Sequence, residues 1–320
     1  MRERTGVFGT AWLFIGHAAE APDPGDWIAT DTAGHRLLMV RDREGALRAF
    51  HNVCRHRAGP LVTGVQGHCE GELVCAYHGW RYALDGRLRA ATGFGAVEGF
   101  DPRDFGLLAL RLETWRDLVF VTLDPQAAPL IDFVAPLEAL LAGRGLSIGG
   151  PALRRSHDLA CDWKVYAENY LEGYHIGAVH PALAEELVSA EYRVRVEGDL
   201  VVQEAVGVND GPQAGVWGWL WPNLGINVYR DGAMIERMTP VGPGRTRLDY
   251  LFLNEAAEGP PKPGFDAALA ASDRLTAEDA SICEAVQANL SAGAYDRGVL
   301  SPRHEVAVAW FQSRIAGVHA

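Results

Sequence analysis

Several features that mark other classes of protein are missing from this sequence. It contains no Lys- or Arg-rich run, and its formal net charge is -12, so it lacks the positive surface that holds a phosphate backbone. No apolar run reaches the roughly 18 residues that a membrane helix needs, and the first residues lead into no signal-type apolar block. We therefore expect no nucleic-acid partner, no membrane association and a cytoplasmic location.

Cysteine is also scarce for a chain of this length. The five cysteines are Cys54, Cys69, Cys75, Cys161 and Cys283. An odd number spread through a long chain does not form a dense disulfide framework. Metal ligation or simple burial is the better expectation for these thiols.

The size and composition predict a globular protein of two domains. Hydrophobic residues make up 48% and charged residues 22% of the 320 residues, which is ordinary for a folded chain larger than one hydrophobic core. From Asp124 to Gly150 the sequence becomes rich in Pro, Ala, Leu and Gly. We place the domain boundary there, giving domains 1–124 and 125–320.

The two halves differ in their patterns. The first contains short β-rich runs, at 36–41, 46–50, 72–75 and 118–122, with a hairpin turn at Asp85-Gly86. The second has a helical pattern at 162–172, strand-like runs at 192–205, 216–229, 233–238 and 246–254, and two closing helices, at 265–292 and from Ser301-Pro302. We expect a small antiparallel β domain followed by an α+β domain.

One set of metal-binding residues lies in the first half. Cys54-Arg-His56 is followed, after 18 residues, by Cys75-Ala-Tyr-His78. A [2Fe-2S] cluster with two histidines on one iron takes one Cys and one His from each of two loops, and this spacing supplies both pairs. A zinc site is the alternative, although structural zinc motifs usually pair C-x2-4-C with H-x3-5-H.

Other candidate ligands nearby do not fit this arrangement. Cys69 has no histidine at the matching distance, so it is expected to be a spare thiol. His51 and His68 lie close to the two loops but are not in register with a cysteine. We expect both histidines to be exposed or locally hydrogen-bonded.

A second pair of histidines, His175 and His180, lies in the other half. Five residues turn an unbroken helix by about 140° beyond one full turn, so the two rings would not converge. Gly173, Gly177 and Pro181 make a broken helix plausible. A 2-His-1-carboxylate triad, which leaves iron positions open, needs one further ligand.

The candidate for the third ligand is Asp279. It falls within an apolar series of the penultimate helix, formed by Leu275, Ile282, Val286 and Leu290. A carboxylate that faces a core is costly unless it has a partner. Pairing with Arg274 or another cation explains the pattern as well as metal ligation does.

Three segments resemble the alpha subunits of Rieske non-haem iron oxygenases, including the choline- and carnitine-type monooxygenases. They are Asn52-Val-Cys-Arg-His-Arg57, Cys75-Ala-Tyr-His-Gly-Trp80 and Thr276-Ala-Glu-Asp-Ala-Ser-Ile-Cys-Glu284. The resemblance extends from Trp12 to Ala316. It implies an α+β protein with an N-terminal Rieske [2Fe-2S] antiparallel β domain and a C-terminal helix-grip (START-like) catalytic domain.

The resemblance also implies roles for individual residues. The cluster would be held by Cys54, His56, Cys75 and His78, and a mononuclear Fe(II) by His175, His180 and Asp279. Glu172 corresponds to the acidic residue that bridges a Rieske histidine of one subunit to the catalytic iron of its neighbour, with Glu168 as a rival. Asn169 corresponds to a polar residue that lies close to the iron without ligating it.

The function implied is oxygen insertion. A reductase, with or without a ferredoxin, would pass electrons from NAD(P)H to the cluster of a head-to-tail homotrimer, and a beta subunit is also conceivable. O2 would then hydroxylate, dihydroxylate or dealkylate a small aromatic or quaternary-ammonium substrate. A Rieske ferredoxin explains only the first half of the chain, and a small-molecule binding protein explains only the second.

The sequence offers one clue to the substrate. Trp217, Trp219 and Trp221 alternate along a predicted strand, so they share a face, and Tyr229 follows on the next run. Such rings can hold a quaternary ammonium by cation–π attraction or stack on an aromatic substrate, but they can equally fill a core. Arg230 and Arg237 are candidates for meeting a substrate carboxylate, unless they are solvated strand residues.

Overall fold

The computed structural model describes residues 2–146, 148–187, 192–205, 215–229, 232–254 and 265–319. The chain divides into two compact units, Glu3–Leu130 and Ile131–Ala320. This division falls shortly after Asp124, where the composition of the sequence begins to change.

The N-terminal unit is built from antiparallel strands, as predicted. After helix α1 (Arg2–Gly6), its strands are β1 (Trp12–His17), β2 (Asp26–Thr32), β3 (His35–Arg41), β4 (Leu47–His51), β5 (Gln66–His68), β6 (Glu72–Val74), β7 (Arg81–Ala83), β8 (Leu88–Ala90), β9 (Ala109–Trp115) and β10 (Leu118–Thr122). Seven strands form a sheet in the order β1-β10-β9-β4-β3-β2-β5, and β6, β7 and β8 form a second sheet. The two predicted cluster loops follow β4 and β6.

The buried side chain of Asn52 braces the first of these loops. Its amide nitrogen donates to the carbonyl of Val62 at 2.9 Å, and its oxygen accepts from the backbone N–H of Leu61 at 2.9 Å and of Val62 at 3.1 Å. Both sides of the loop are therefore tied to one side chain. These bonds join the two ends of the loop that carries Cys54.

The C-terminal unit combines one antiparallel sheet with helices. Its elements are α2 (Leu130–Arg144), β11 (Pro151–Leu159), α3 (Trp163–Tyr170), α4 (Ile176–Val179), α5 (Pro181–Glu186), β12 (Arg193–Glu197), β13 (Leu200–Ala205), β14 (Gly215–Leu220), β15 (Leu224–Tyr229), β16 (Gly232–Gly242), β17 (Arg245–Asn254), α6 (Phe265–Ser291) and α7 (Val306–His319). The strand order is β11-β17-β16-β15-β14-β13-β12. The predicted α+β architecture is present.

The long helix α6 packs on one face of this sheet. Thr276 of α6 lies 3.0 Å, oxygen to oxygen, from the hydroxyl of Tyr250 on β17. The hydroxyl of Ser272, one turn earlier, lies 3.6 Å from the sulfur of Met234 on β16. We call this the inner face of the sheet, because α3 and α6 both contact it.

Helix α2 packs on the opposite, outer face, and the sequence analysis did not predict it. Its buried residues recur at helical spacing, as Leu130, Val134, Leu137 and Leu141. A methyl group added at Gly218 of β14 would lie 3.5 Å from the side chain of Leu137. The internal Pro136 and the small residues around it give this segment the composition of a linker, although it is helical.

The start of the last helix differs from the prediction. Ser301-Pro302 was expected to begin it, whereas α7 begins at Val306. Ser301 instead closes an isolated turn, in which its hydroxyl accepts from the backbone N–H of His304 at 3.2 Å and its carbonyl accepts from that of Glu305 at 3.0 Å. Ser301 therefore caps this turn, which lies just before α7, and does not cap the helix itself.

Trp163 of α3 packs against α7. It is fully buried and meets Phe311 edge to face, with ring centroids 5.5 Å apart. We expect Trp163→Ala to lower the free energy of unfolding of the C-terminal unit by about 3–5 kcal/mol, because it leaves a cavity in the core. Denaturant titration followed by tryptophan fluorescence measures the loss.

Trp310→Ala is the matched control for this prediction. Trp310 lies on α7 and is only half-buried against Trp221, so its replacement removes an equal side chain from a less enclosed position. We expect a clearly smaller loss of stability. Equal losses for the two variants would contradict the assignment of Trp163 to the core.

Candidate metal centres

The first centre is formed by two tight turns in the N-terminal unit. The N–H of Cys54 donates to the carbonyl of Gly59 at 2.8 Å, and the N–H of Cys75 donates to the carbonyl of Trp80 at 2.9 Å. Gly79 closes the second turn with a φ of 69°, a conformation that favours glycine. A side chain at Gly59 would come within 2.8 Å of the Cys75 sulfur, so glycine lets the two loops meet.

The two histidines of these loops lie together. The rings of His56 and His78 are 4.5 Å apart between centroids, and His56 stacks on Trp80 at 4.9 Å. The Nδ1 atom of His56 is buried and has no hydrogen-bond partner among the described residues. Because an unpaired buried nitrogen is costly, a metal ligand is the role that fits this atom.

The two sulfurs of the same loops are buried side by side. Burial raises the pKa of the Cys75 thiol, and the neighbouring Cys54 adds to the rise. The hydroxyl of Tyr82 lies 3.2 Å from the Cys54 sulfur. Thiolates in this position need a nearby metal charge, so the donor set fits a cluster with two sulfur and two nitrogen ligands.

The remaining candidates near the cluster loops have other partners. His68 lies 2.9 Å from the carboxylate of Asp26, and the Cys69 thiol donates to the carbonyl of Gly25 at 3.3 Å. His51 is half-buried at the end of β4. The structure therefore brings together Cys54, His56, Cys75 and His78 and leaves these three side chains outside the group.

The second centre lies where a helix is broken in the C-terminal unit. Helix α3 ends at Tyr170, and α4 and α5 are short helices on either side of His180. The backbone of His180 leaves the helical conformation, with φ at -121° and ψ at 67°. As a result the rings of His175 and His180 approach to 5.2 Å between centroids. An unbroken helix would have directed them apart.

Asp279 reaches the two histidines from α6. Its Oδ1 atom lies 3.0 Å from Nε2 of His180 and 3.7 Å from Nε2 of His175. One potential ligand atom from each of the three residues lies within 4.8 Å of the other two, which is the spacing expected around one metal ion. Asn169 of α3 donates its side-chain N–H to the same oxygen at 2.7 Å.

The apolar series that drew attention to Asp279 is not the buried face of α6. The side chains of Ile282, Val286 and Leu290 are each about two-fifths exposed in this chain, at 41%, 40% and 40%. The buried residues of the helix are Leu269, Thr276 and Cys283. Asp279 therefore lies beside the buried face, and its partners in the described part of the chain are Asn169 and the two histidines, not Arg274.

Two glutamates lie within hydrogen-bond distance of the Nδ1 atoms of His175 and His180, on the side of each ring away from Asp279. Glu172 lies 2.7 Å from Nδ1 of His175, and Glu278 lies 2.7 Å from Nδ1 of His180. A carboxylate that accepts the Nδ1 proton leaves the Nε2 lone pair free for a metal. Glu278 was missed in the sequence analysis, although the acidic pair Glu278-Asp279 is the signal that marks it.

The charge around these histidines is strongly negative. Burial lowers the pKa of His180, but the hydrogen bonds and negative charges of Asp279 and Glu278 raise it overall. Together with Glu172, three carboxylates surround two imidazoles. Such a set fits a divalent cation, which supplies the missing positive charge.

Glu168, the rival of Glu172, faces a different part of the unit. Burial raises its pKa, and a hydrogen bond from Gln312 of α7 opposes the rise. Glu172, by contrast, contacts both the ring and the backbone N–H of His175. The geometry therefore puts Glu172, and not Glu168, beside the histidine pair.

The residues considered for substrate binding differ in how deeply they are buried and in their partners. Trp219 and Trp221 fill the core against Phe311, whereas Trp217 is half-buried near Tyr192. Arg237 is buried and pairs with Asp249 at 2.8 Å. Arg230 lies outside the described residues. Tyr229 remains half-buried at the end of β15.

Comparison with known proteins finds a family model for each part of the chain. Residues 11–101 match the Rieske [2Fe-2S] domain, and residues 150–209 and 197–319 match the catalytic domain of the ring hydroxylating alpha subunit.

No helix in the described ranges is both long and apolar enough to span a membrane.

Named relatives cover nearly the whole chain. The chloroplastic choline monooxygenase of Arabidopsis thaliana is 29% identical over 314 residues, which cover 91% of this chain and 74% of the relative. The carnitine monooxygenase oxygenase subunit of Escherichia coli K12 is 29% identical over 311 residues, which cover 92% and 81%.

Solved structures show the same fold. The quaternary ammonium Rieske monooxygenase CntA in complex with L-carnitine superposes with a TM-score of 0.82 at 26% identity, covering 100% of this chain and 92% of that chain. A naphthalene 1,2-dioxygenase superposes with a TM-score of 0.78 at 18% identity, covering 100% and 89%, which shows the fold alone.

These matches confirm the predicted fold class, enzyme class and cofactors, and they do not support an electron carrier without oxygenase activity. The cofactors are a Rieske [2Fe-2S] cluster and a mononuclear iron. The chain belongs to the Rieske non-haem iron oxygenases, as a ring-hydroxylating alpha subunit.

Proposed function

We propose that this oxygenase acts on a small quaternary ammonium compound and that His175, His180 and Asp279 hold its mononuclear iron. The convergence of these three side chains within 4.8 Å is the observation that carries the ligand assignment. We also propose that Cys54, His56, Cys75 and His78 hold the cluster. Their sulfur and nitrogen donors meet between two short loops.

The residues around the second centre prepare it for one metal ion. When bound, the mononuclear iron supplies the open coordination positions at which O2 is activated, and the cluster supplies electrons. Glu172 and Glu278 hold the Nδ1 protons, which orients both imidazoles. Asn169 donates to Asp279 and so fixes the carboxylate without acting as a ligand itself.

The route of the electrons is proposed to cross between copies of the chain. Inter-subunit electron transfer is named for a quaternary ammonium Rieske monooxygenase of the same fold, and the carnitine relative is an oxygenase subunit, so we infer a separate reductase partner. We infer a head-to-tail homotrimer, in which Glu172 connects His175 to a cluster histidine of the next copy. The exposed apolar side chains of Ile282, Val286 and Leu290 are consistent with a surface that a neighbouring copy covers. A ferredoxin, a beta subunit and a cytoplasmic location remain predictions.

The proposed substrate class is supported by the relatives and by charge. Choline and carnitine monooxygenases are the named relatives of this chain. Residues 131–320 contain 25 acidic and 15 basic side chains, so the catalytic unit attracts cations. A neutral aromatic substrate is the second candidate. Trp219 and Trp221 are buried in the core, so within the tryptophan series this substrate would have only the half-buried Trp217 to stack on.

Replacing Cys75 tests the first centre. We expect Cys75→Ser to abolish the visible spectrum of the Rieske cluster and to lower the iron content from about three to about one per chain, because one ligand is lost. Cys69→Ser is the control, since that thiol donates to a backbone carbonyl, and it keeps the spectrum. A normal Rieske spectrum in Cys75→Ser would contradict the assignment.

Replacing Asp279 tests the second centre. We expect Asp279→Ala to lower the iron content from about three to about two per chain and to stop substrate-dependent O2 uptake, while the cluster spectrum stays normal. Asp266→Ala, an exposed aspartate in the first turn of the same helix, is the control and retains all iron. Full iron content and turnover in Asp279→Ala would exclude the ligand role.

Replacing Glu172 tests the electron route. In Glu172→Gln we expect both metals to be retained, while oxidation of the reduced cluster by O2 and substrate slows about 10- to 100-fold. Stopped-flow absorbance measures this rate in a single turnover. Glu168→Gln should oxidise its cluster at the wild-type rate. Slow oxidation in Glu168→Gln together with a wild-type rate in Glu172→Gln would assign the connection to Glu168.

A further inference from the structure

Glu236 is a buried carboxyl group on the inner face of the catalytic sheet. It lies on β16 and is 3% exposed. Tyr250, opposite it on β17, donates its O–H to Glu236 at 3.0 Å. The same hydroxyl lies 3.0 Å from the Thr276 hydroxyl of α6 and 3.3 Å from the Tyr166 hydroxyl of α3. Glu236 is therefore enclosed between the sheet and both helices.

Among the residues that the structure describes, this carboxyl group differs from other buried charges in that no cation pairs with it. Buried Asp42 pairs with Arg48 at 2.7 Å, and buried Arg237 pairs with Asp249 at 2.8 Å. Within the described ranges no Lys, Arg or His forms a salt bridge with Glu236. An ionised carboxylate at such a depth is stable only beside a positive charge.

Tyrosine rings lie on two sides of the same carboxyl group, with Tyr250 and Tyr166 on one side and Tyr170 over the neighbouring Gly225 on the other. Burial raises the pKa of Tyr166, Tyr170, Tyr229 and Tyr250, and the negative charge of Glu236 raises each of them further. Rings around a carboxylate are the environment that holds a quaternary ammonium group.

A glycine on the sheet beside Glu236 makes room for the ring of Tyr170. Gly225 of β15 is the cross-strand neighbour of Glu236, and a side chain there would come within 2.9 Å of the Tyr170 hydroxyl. Because the position is glycine, the Tyr170 ring extends over the sheet and its hydroxyl donates to Asn227 at 2.6 Å. Tyr170 thus borders Glu236 on the side away from Tyr250.

Glu236 is also close to the proposed iron ligands. Thr276, which shares the Tyr250 hydroxyl, lies about one helical turn before Asp279 on α6. The negative charge of Asp279 is felt at Glu236, where burial is the main cause of a pKa raised to about 8. Glu236 therefore lies in the same region of the C-terminal unit as the group formed by His175, His180 and Asp279.

We propose that Glu236 is the counter-ion of the substrate: its carboxylate pairs with the ammonium charge while the tyrosine rings contact the N-methyl groups. This inference rests on the proposed function, because it identifies the residue that selects a cation for that same site. Glu236 thereby determines specificity, since an uncharged molecule of the same shape gains no ion pair with its carboxylate.

A pair of probes with the same shape tests this proposal. Choline and its uncharged carbon analogue 3,3-dimethyl-1-butanol are titrated into the anaerobic, iron-loaded protein, and the Kd of each is measured by calorimetry. We expect the wild type to favour choline by about 30-fold or more, and Glu236→Gln to lose that preference by weakening choline alone. Glu204→Gln is the control, since Glu204 lies on β13 and pairs with Arg195 at 3.0 Å.

A variant-free measurement covers the case in which Glu236→Gln does not fold. The charge on Glu236 is lost as pH falls through about 8, so choline binding by the wild type should weaken below that pH while binding of the alcohol stays constant. The groups around Glu236 are the four tyrosines, which stay neutral there, and Asp279.

Two results would overturn the proposal. One is a wild type that binds choline and the alcohol equally well at every pH, and the other is a folded Glu236→Gln that keeps the preference for choline. Iron content and the cluster spectrum are measured on the same samples. Because these report on the metal centres, a failure of the counter-ion role is distinguishable from a failure of the proposed oxygenase sites.

Discussion

Negative charge inside the catalytic unit is the constraint on which the rest of the site depends. Glu172, Glu278 and Asp279 converge on two histidines, and the contacts described for them are with imidazoles, backbone N–H groups and the amide of Asn169. Carboxylates brought together away from water need a cation to stay ionised. The proposed divalent iron would offset most of the charge of these three carboxylates, and a cationic substrate would pair with Glu236.

The fold meets this constraint by bringing distant segments together. The break after α3 turns His175 and His180 toward each other, and α6 supplies Asp279 and Glu278 from about a hundred residues later in the chain. Neither segment alone holds a metal. The sheet supports both, because α3 and α6 pack on its inner face through Tyr166, Tyr250 and Thr276.

The sequence predicted those parts of the protein that depend on local spacing. The two Cys-His pairs, the break near His180 and most strands of the C-terminal sheet follow from neighbouring residues. Asp279 was identified by an apolar series that is in fact partly exposed, so family resemblance carried that assignment. Glu278 and Glu236 were missed because their roles come from contacts across elements, which no local pattern records.

Anomalous diffraction at the iron absorption edge, from crystals of the iron-loaded protein, tests the central claim most directly. The account predicts two separate peaks per chain, one between Cys54, His56, Cys75 and His78, and one in contact with Nε2 of His175, Nε2 of His180 and the carboxylate of Asp279. A single peak at the cluster, or a second iron bound by Glu172 or Glu278 in place of Asp279, would contradict it.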